Sequence, residues 1–96
     1  MKPSVALLTN RDKIREIVSS HHANNARVFG SVAAGTDNDE SDLDILIDPT
    51  SETTLFDIGA IRYKLKQLLG VSVDVLTPKG LPEKFRQSVL DTAQPI

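Results

Sequence analysis

Three aspartates and one glycine-serine pair hold the chemical potential of this 96-residue chain. Gly30-Ser31 is followed, after an interval of ten residues, by Asp42-Leu43-Asp44, and a third carboxylate stands in Val73-Asp74-Val75. Backbone amides at turns and helix starts hold anions. Carboxylates hold hard divalent cations. Both kinds of group side by side fit a metal-bound nucleotide. Three carboxylates brought close repel one another, and a divalent cation is their natural counter-charge.

The elements that must position these residues are legible from periodicity. Strand side chains alternate between faces. Leu43, Ile45 and Ile47 therefore face one way, with Asp42 and Asp44 on the other; Val71, Val73 and Val75 oppose Ser72 and Asp74. If both apolar faces pack on helices, the three aspartates share the opposite face, and neighbouring strands bring them within reach of a common metal. Thr9 or Asn10 caps a helix to about Ser20, with Ile14, Ile17 and Val18 at helical spacing, and Asn24-Asn25 breaks it. Residues 1–8 fit no single element. Ala26–Phe29 is a short strand entering the tight Gly30-Ser31 turn, and Gly35 to Ser41 is a polar loop. The longest helix starts at Thr53 or Thr54 and runs to about Leu69, with Leu55, Ile58, Ile61, Leu65, Leu68 and Leu69 on one stripe and Gly70 as its C-terminal cap. Val71–Leu76 is a third strand. Pro82 opens a last helix that buries Phe85, Val89 and Leu90. The expected fold is a two-layer α/β (α+β) domain spanning 1–96, with a short mixed sheet of about three strands and helices on one face.

Other chemistries fit less well. Asp37-Asn38-Asp39-Glu40-Ser41 resembles the start of a calcium loop, but its sixth position is Asp42 rather than Gly and its twelfth is Asp48 rather than Glu. Asp37, Asp39 and Glu40 are read as a solvated loop at the rim. His21-His22 sits where a protonated imidazole meets a helix C-terminus, without ligand spacing to Cys or carboxylate. Ser31 has no His partner at a recognisable spacing, against a hydrolase nucleophile. Tyr63 is expected to pack half-buried on the long helix.

Composition narrows the classes further. Eleven basic and thirteen acidic residues give a net charge of −2, which argues against nucleic acid as the main ligand. The aromatics Phe29, Phe56, Tyr63 and Phe85 are too few for a stacking platform. There is no cysteine, so no thiolate metal site or disulfide frame. No apolar run approaches a bilayer span, and a cytoplasmic location is expected.

Phe29-Gly30-Ser31, the ten-residue interval and Ser41-Asp42-Leu43-Asp44-Ile45-Leu46 together resemble the signature of the polymerase-β-like nucleotidyltransferase superfamily. Nearly the whole chain, in length and element order, is similar to the minimal nucleotidyltransferases, the MNT domains paired with HEPN-domain toxins as MntA-like antitoxins. The resemblance implies that Gly30 and Ser31 hold the phosphates of ATP, that Asp42 and Asp44 bind Mg²⁺ as two ions, and that Asp74 shares a metal and helps to activate the incoming hydroxyl. It further implies AMP transfer to a hydroxyl, a tyrosine in related systems, of a cognate HEPN ribonuclease toxin, which is thereby silenced. A non-catalytic antitoxin acting by binding alone, and a transferase acting on a small molecule or an RNA end, are the alternatives. One departure stands out: the family often shows Ala-Arg-Gly after Gly-Ser, whereas here Ala33-Ala34-Gly35 lacks the cation, leaving Arg27, Lys64 or Lys79 as substitutes.

Overall fold

The alternation of apolar and acidic residues along one central strand sets the architecture. The computed structural model describes residues 1–96. Strand β2 (Leu43–Pro49) pairs antiparallel with β1 (Ala23–Phe29) and parallel with β3 (Val73–Leu76). A two-residue strand, β4 (Gln94–Pro95), adds antiparallel to β1, and the sheet order is β3-β2-β1-β4. The helices are α1 (Pro3–Thr9), α2 (Arg11–Ser20), α3 (Gly30–Ala34), α4 (Leu55–Leu69) and α5 (Glu83–Thr92), with a 3-10 turn at Pro78–Gly80. The parallel β2–β3 pair needs a long crossover, and α4 supplies it. No helix is long and apolar enough to cross a membrane.

Leu43, Ile45 and Ile47 are fully buried, and they join Val28, Val73 and Val75 in one apolar cluster. The cluster is closed by Ile14 and Val18 of α2 and by Ile61, Leu65 and Leu69 of α4. Each such side chain contributes about 1.5–3 kcal/mol by leaving water. Helix α4 is bounded as its sequence demands. Thr54 N–H donates to Asp57 Oδ2 at 2.9 Å while Asp57 N–H donates to Thr54 Oγ1 at 3.1 Å, a reciprocal capping box. Gly70 ends the helix in the left-handed conformation.

Several expectations need correction. Residues 3–9 form a helix, with Ala6 and Leu7 buried. The α2 helix ends at Ser20 as expected, but β1 begins at Ala23 rather than Ala26, so Asn24-Asn25 lie within the strand, and Asn25 takes a positive φ of 53° at a break in the β1–β2 register. Val71 and Ser72 precede β3, and the sheet has four strands rather than three because the C-terminal residues pair with β1. Leu55 is 85% exposed, the buried residues of α4 being Ile61, Leu65 and Leu69, and Tyr63 is 64% exposed on the helix's outer side. Helix α5 buries none of its residues and leaves Phe85 exposed.

The aspartate side of the sheet is not bare. Leu46, of the same parity as Asp44, is fully buried, and Leu81 is nearly so, yet both lie outside the main cluster. The 3-10 turn approaches β2 on this part of the sheet. Arg86 fixes that turn by donating to the carbonyls of Pro78 at 2.8 Å and Leu81 at 3.0 Å.

Candidate active site

Pairing register brings the first two carboxylates together. Asp44 is the cross-strand partner of Asp74 between β2 and β3, and of Phe29 between β2 and β1. Asp42 stands just before β2, exposed, and the adjacent Leu43 N–H donates to Ser72 O at 2.8 Å, tying this end of β2 to the residue two before Asp74. All three aspartates therefore occupy the same end of the sheet. Asp44 is half-buried and Asp74 is exposed. Burial holds the Asp44 carboxyl above its ordinary value, and the negative charges of Asp74 and Asp42 push it in the same direction.

Gly30 is fitted against this group. Because Phe29 pairs with Asp44, the next residue turns over that carboxylate with φ +71°. A Cβ on Gly30 would overlap Asp44 Oδ2 and sit 3.3 Å from its Cγ. The turn expected at Gly30-Ser31 is in fact the first turn of α3, whose leading N–H groups have no partner within the helix. Ser31 is half-buried in that turn, and its carbonyl accepts from Thr36 N–H at 2.9 Å. Gly35, with φ 74°, closes the helix.

The loop from Thr36 to Asp42 is anchored by the N-terminal segment. Ser4 N–H, in the first turn of α1, donates to Asp37 Oδ2 at 2.9 Å, which holds the Asp37 carboxyl below the usual carboxylate value. The terminal ammonium of Met1 lies 3.7 Å from Asp39. Within the loop, Asn38 N–H donates to Ser41 Oγ at 2.9 Å and Glu40 N–H to Asn38 Oδ1 at 2.8 Å. Nothing in the sequence pattern flags the Asp37–Ser4 link, because its partners are 33 residues apart.

Asp12, Asp37, Asp39, Asp48, Asp57 and Asp91 each have a hydrogen-bond or ion-pair partner. Asp42, Asp44 and Asp74 have none, and they are the ones gathered at one end of the sheet. Their donor chemistry suits a hard cation. They do not form a closed three-ligand group.

The three substitutes for the missing family cation are placed elsewhere. Arg27 is paired with Asp48, which also accepts from Asn25 Nδ2 at 2.9 Å. Lys64 is on α4, across the sheet, and Lys79 is in the 3-10 turn after β3, whereas Asp74 is near that strand's start. His21 and His22 lie 3.6 and 3.4 Å from the Asp57 carboxylate, beyond the opposite end of β2 from Asp44.

The family profile described as "Nucleotidyltransferase domain" matches residues 11–95. A protein of Methanocaldococcus jannaschii named "Putative protein adenylyltransferase MJ0435" is 33% identical over 81 residues, covering 84% of this chain and 87% of that protein. A solved structure described as a "putative minimal nucleotidyltransferase" is 36% identical and superposes with a TM-score of 0.87 over 97% of this chain and 95% of the other. A toxin–antitoxin structure with AMP-PNP shares the fold, at 22% identity and a TM-score of 0.75, over 90% of this chain and 71% of that one. With the Gly30-Ser31 turn seated on Asp44 and the carboxylates aligned across β2 and β3, the chain belongs to the nucleotidyltransferase domain family, in its minimal form.

Proposed function

We propose that this chain is a Mg²⁺-dependent protein adenylyltransferase that moves AMP from ATP to a tyrosine hydroxyl of a HEPN-domain toxin and so silences it. The observation that carries the reading is the set of partnerless carboxylates, Asp42, Asp44 and Asp74, at the sheet end where Gly30 is fitted against Asp44. The protein-adenylyltransferase name of the 33% identical relative and the AMP-PNP in the toxin–antitoxin structure support the same direction.

In this reading Gly30 and Ser31 receive the triphosphate, through the free amides of the first turn of α3 and the Ser31 hydroxyl. Asp42 and Asp44 would hold the Mg²⁺ ions, with Asp74 contributing to the same site. Bound Mg²⁺ supplies charge neutralisation at the phosphates and a lowered pKa for the attacking hydroxyl. Asp74 orients that hydroxyl and accepts its proton. A new bond forms between the acceptor oxygen and the α-phosphorus as the bond to pyrophosphate breaks. Positioning and charge compensation carry most of such a transfer. The 3-10 turn approaches β2 and α5 buries none of its residues, so neither builds an acceptor pocket and the acceptor surface comes from the partner.

The test is the intact mass of the co-purified partner before and after Mg²⁺·ATP, with wild type beside Asp42→Ala/Asp44→Ala. One or more adenylyl additions with wild type alone are expected. A stable complex that keeps its mass, and a folded double variant that still neutralises the toxin, would sink the catalytic reading in favour of neutralisation by binding. Modification of a small molecule or RNA end without any protein partner would replace the acceptor.

A further inference from the structure

Asp42 is exposed and without a partner, so its backbone alone decides where its carboxylate stands. On the C-terminal side that backbone enters β2 at once, fixed by the bond from Leu43 N–H to Ser72 O. On the N-terminal side it leaves a loop that bonds mostly to itself. Asn38 N–H donates to Ser41 Oγ at 2.9 Å, Ser41 N–H to Asn38 O at 3.1 Å and Glu40 N–H to Asn38 Oδ1 at 2.8 Å. Between Thr36 and Leu43, two side chains bond outside the loop. Asp39 meets the Met1 ammonium at 3.7 Å, but both are exposed, and water and salt screen such a pair. Asp37 accepts from Ser4 N–H at 2.9 Å, and Ser4 belongs to a helix that buries Pro3, Ala6 and Leu7.

We infer that Asp37 is a positioning residue for Asp42: by pinning the loop to α1 it sets how tightly this end of the sheet takes Mg²⁺ with its nucleotide. The inference rests on the reading of the aspartates under Proposed function. A carboxylate that accepts from a backbone N–H makes a charge-assisted bond, stronger than a neutral one. A loop already held to a buried helix has less freedom left to lose when a ligand arrives, so binding costs less. Asp37 is engaged by Ser4 and acts through the chain between it and Asp42 rather than on the ion. The same anchor serves the phosphate turn, because the adjoining Thr36 N–H is bonded to Ser31 O at 2.9 Å. Linkage makes the effect reciprocal: a metal-bound nucleotide held by Asp42 must in turn tighten the bond between Asp37 and Ser4.

The probe is Mg²⁺-saturated α,β-methylene ATP, whose carbon bridge prevents release of pyrophosphate, titrated calorimetrically into the full chain. Asp37→Ala is expected to bind it at least about fivefold more weakly than wild type, the lower end of ordinary coupling between two sites. Asp37→Asn, whose amide oxygen still accepts from Ser4 N–H, should stay within about twofold of wild type. Asp39→Ala removes a loop charge nearer to Asp42 but not the anchor, and should also stay within about twofold. In wild type, hydrogen exchange at Ser4 N–H should slow when the probe is added, a reading that needs no substitution. Circular dichroism and melts without ligand separate folding from binding. An Asp37→Ala protein that melts lower yet binds as well as wild type would make Asp37 a helix cap alone and overturn the inference. A loss in Asp37→Asn or Asp39→Ala as large as that in Asp37→Ala would reduce the effect to charge and overturn it too, as would unchanged exchange at Ser4 in saturated wild type. If wild type takes up no probe, or Asp42→Ala/Asp44→Ala takes it up as well as wild type, the aspartate reading itself fails and the inference falls with it.

Discussion

Asp44 bears the strongest constraint of any single side chain in the molecule. It is half-buried, it faces Asp74 across the strand pair, and it has no donor to offset either cost. Its folded pKa is therefore raised above 3.8, so its contribution to folding is fully present below the unfolded value and is lost as pH climbs through the raised one. At neutral pH the metal-free protein carries this cost. Asp44→Asn should accordingly raise the melting temperature of the metal-free chain at pH 7, with the gain shrinking as pH approaches 4, while abolishing transfer and the stabilisation by Mg²⁺. Thermal melts with and without Mg²⁺ across that pH range check it; a variant that melts lower than wild type at pH 7 would show that Asp44 has a favourable partner. Gly30 is coupled to the same carboxylate. Gly30→Ala forces a side chain into a left-handed φ and into Asp44 Oδ2, and should cost about 1–3 kcal/mol in urea unfolding. Asp44→Ala should add more stability in that background than it adds to wild type, a coupling that strain at the φ angle alone would not give.

At the scale of elements, the ends of α4 and α3 decide whether the site is presented at all. Thr54→Ala removes one half of the capping box and should cost about 1 kcal/mol of stability, read by urea denaturation. Asp57 is the other half. Its hydrogen bonds from Thr54, with a smaller part from His22, hold its pKa below 3.8. The stability it gives is therefore present above the unfolded value and lost as pH falls through the lowered one, and an acid titration of wild type against Asp57→Asn reads the difference. These features were open to the sequence because they are local: Thr54, Asp57 and Gly70 fall at fixed offsets, and Leu43-Asp44-Ile45 alternates at period two. The same alternation placed Asp42, Asp44 and Asp74 on one face without any knowledge of pairing. What stayed hidden depends on distant partners. The N-terminal helix is fixed by Asp37 across 33 residues, and β4 exists because Ile96 N–H reaches Ala26 O at 2.9 Å. Phe85 sits at helical spacing with Val89 and Leu90, so periodicity assigned it to a core, and Tyr63 was expected to pack half-buried; both are exposed, α5 burying none of its residues and Tyr63 standing on the side of α4 away from Ile61 and Leu65.

For the molecule as a whole, the sheet separates two jobs. One side holds the apolar cluster with α2 and α4; the other holds the aspartates. A domain of this length buries only about two thirds of its unfolded surface, so a ligand held at the aspartate side adds to its stability by mass action. Mg²⁺ with ATP should therefore raise the melting temperature of wild type and leave that of Asp42→Ala/Asp44→Ala unchanged. Thermal melts of both proteins with Mg²⁺, with ATP and with the two together check it. A double variant stabilised as much as wild type would put nucleotide binding away from the aspartates and leave the sheet end where Gly30 meets Asp44 without the role proposed for it.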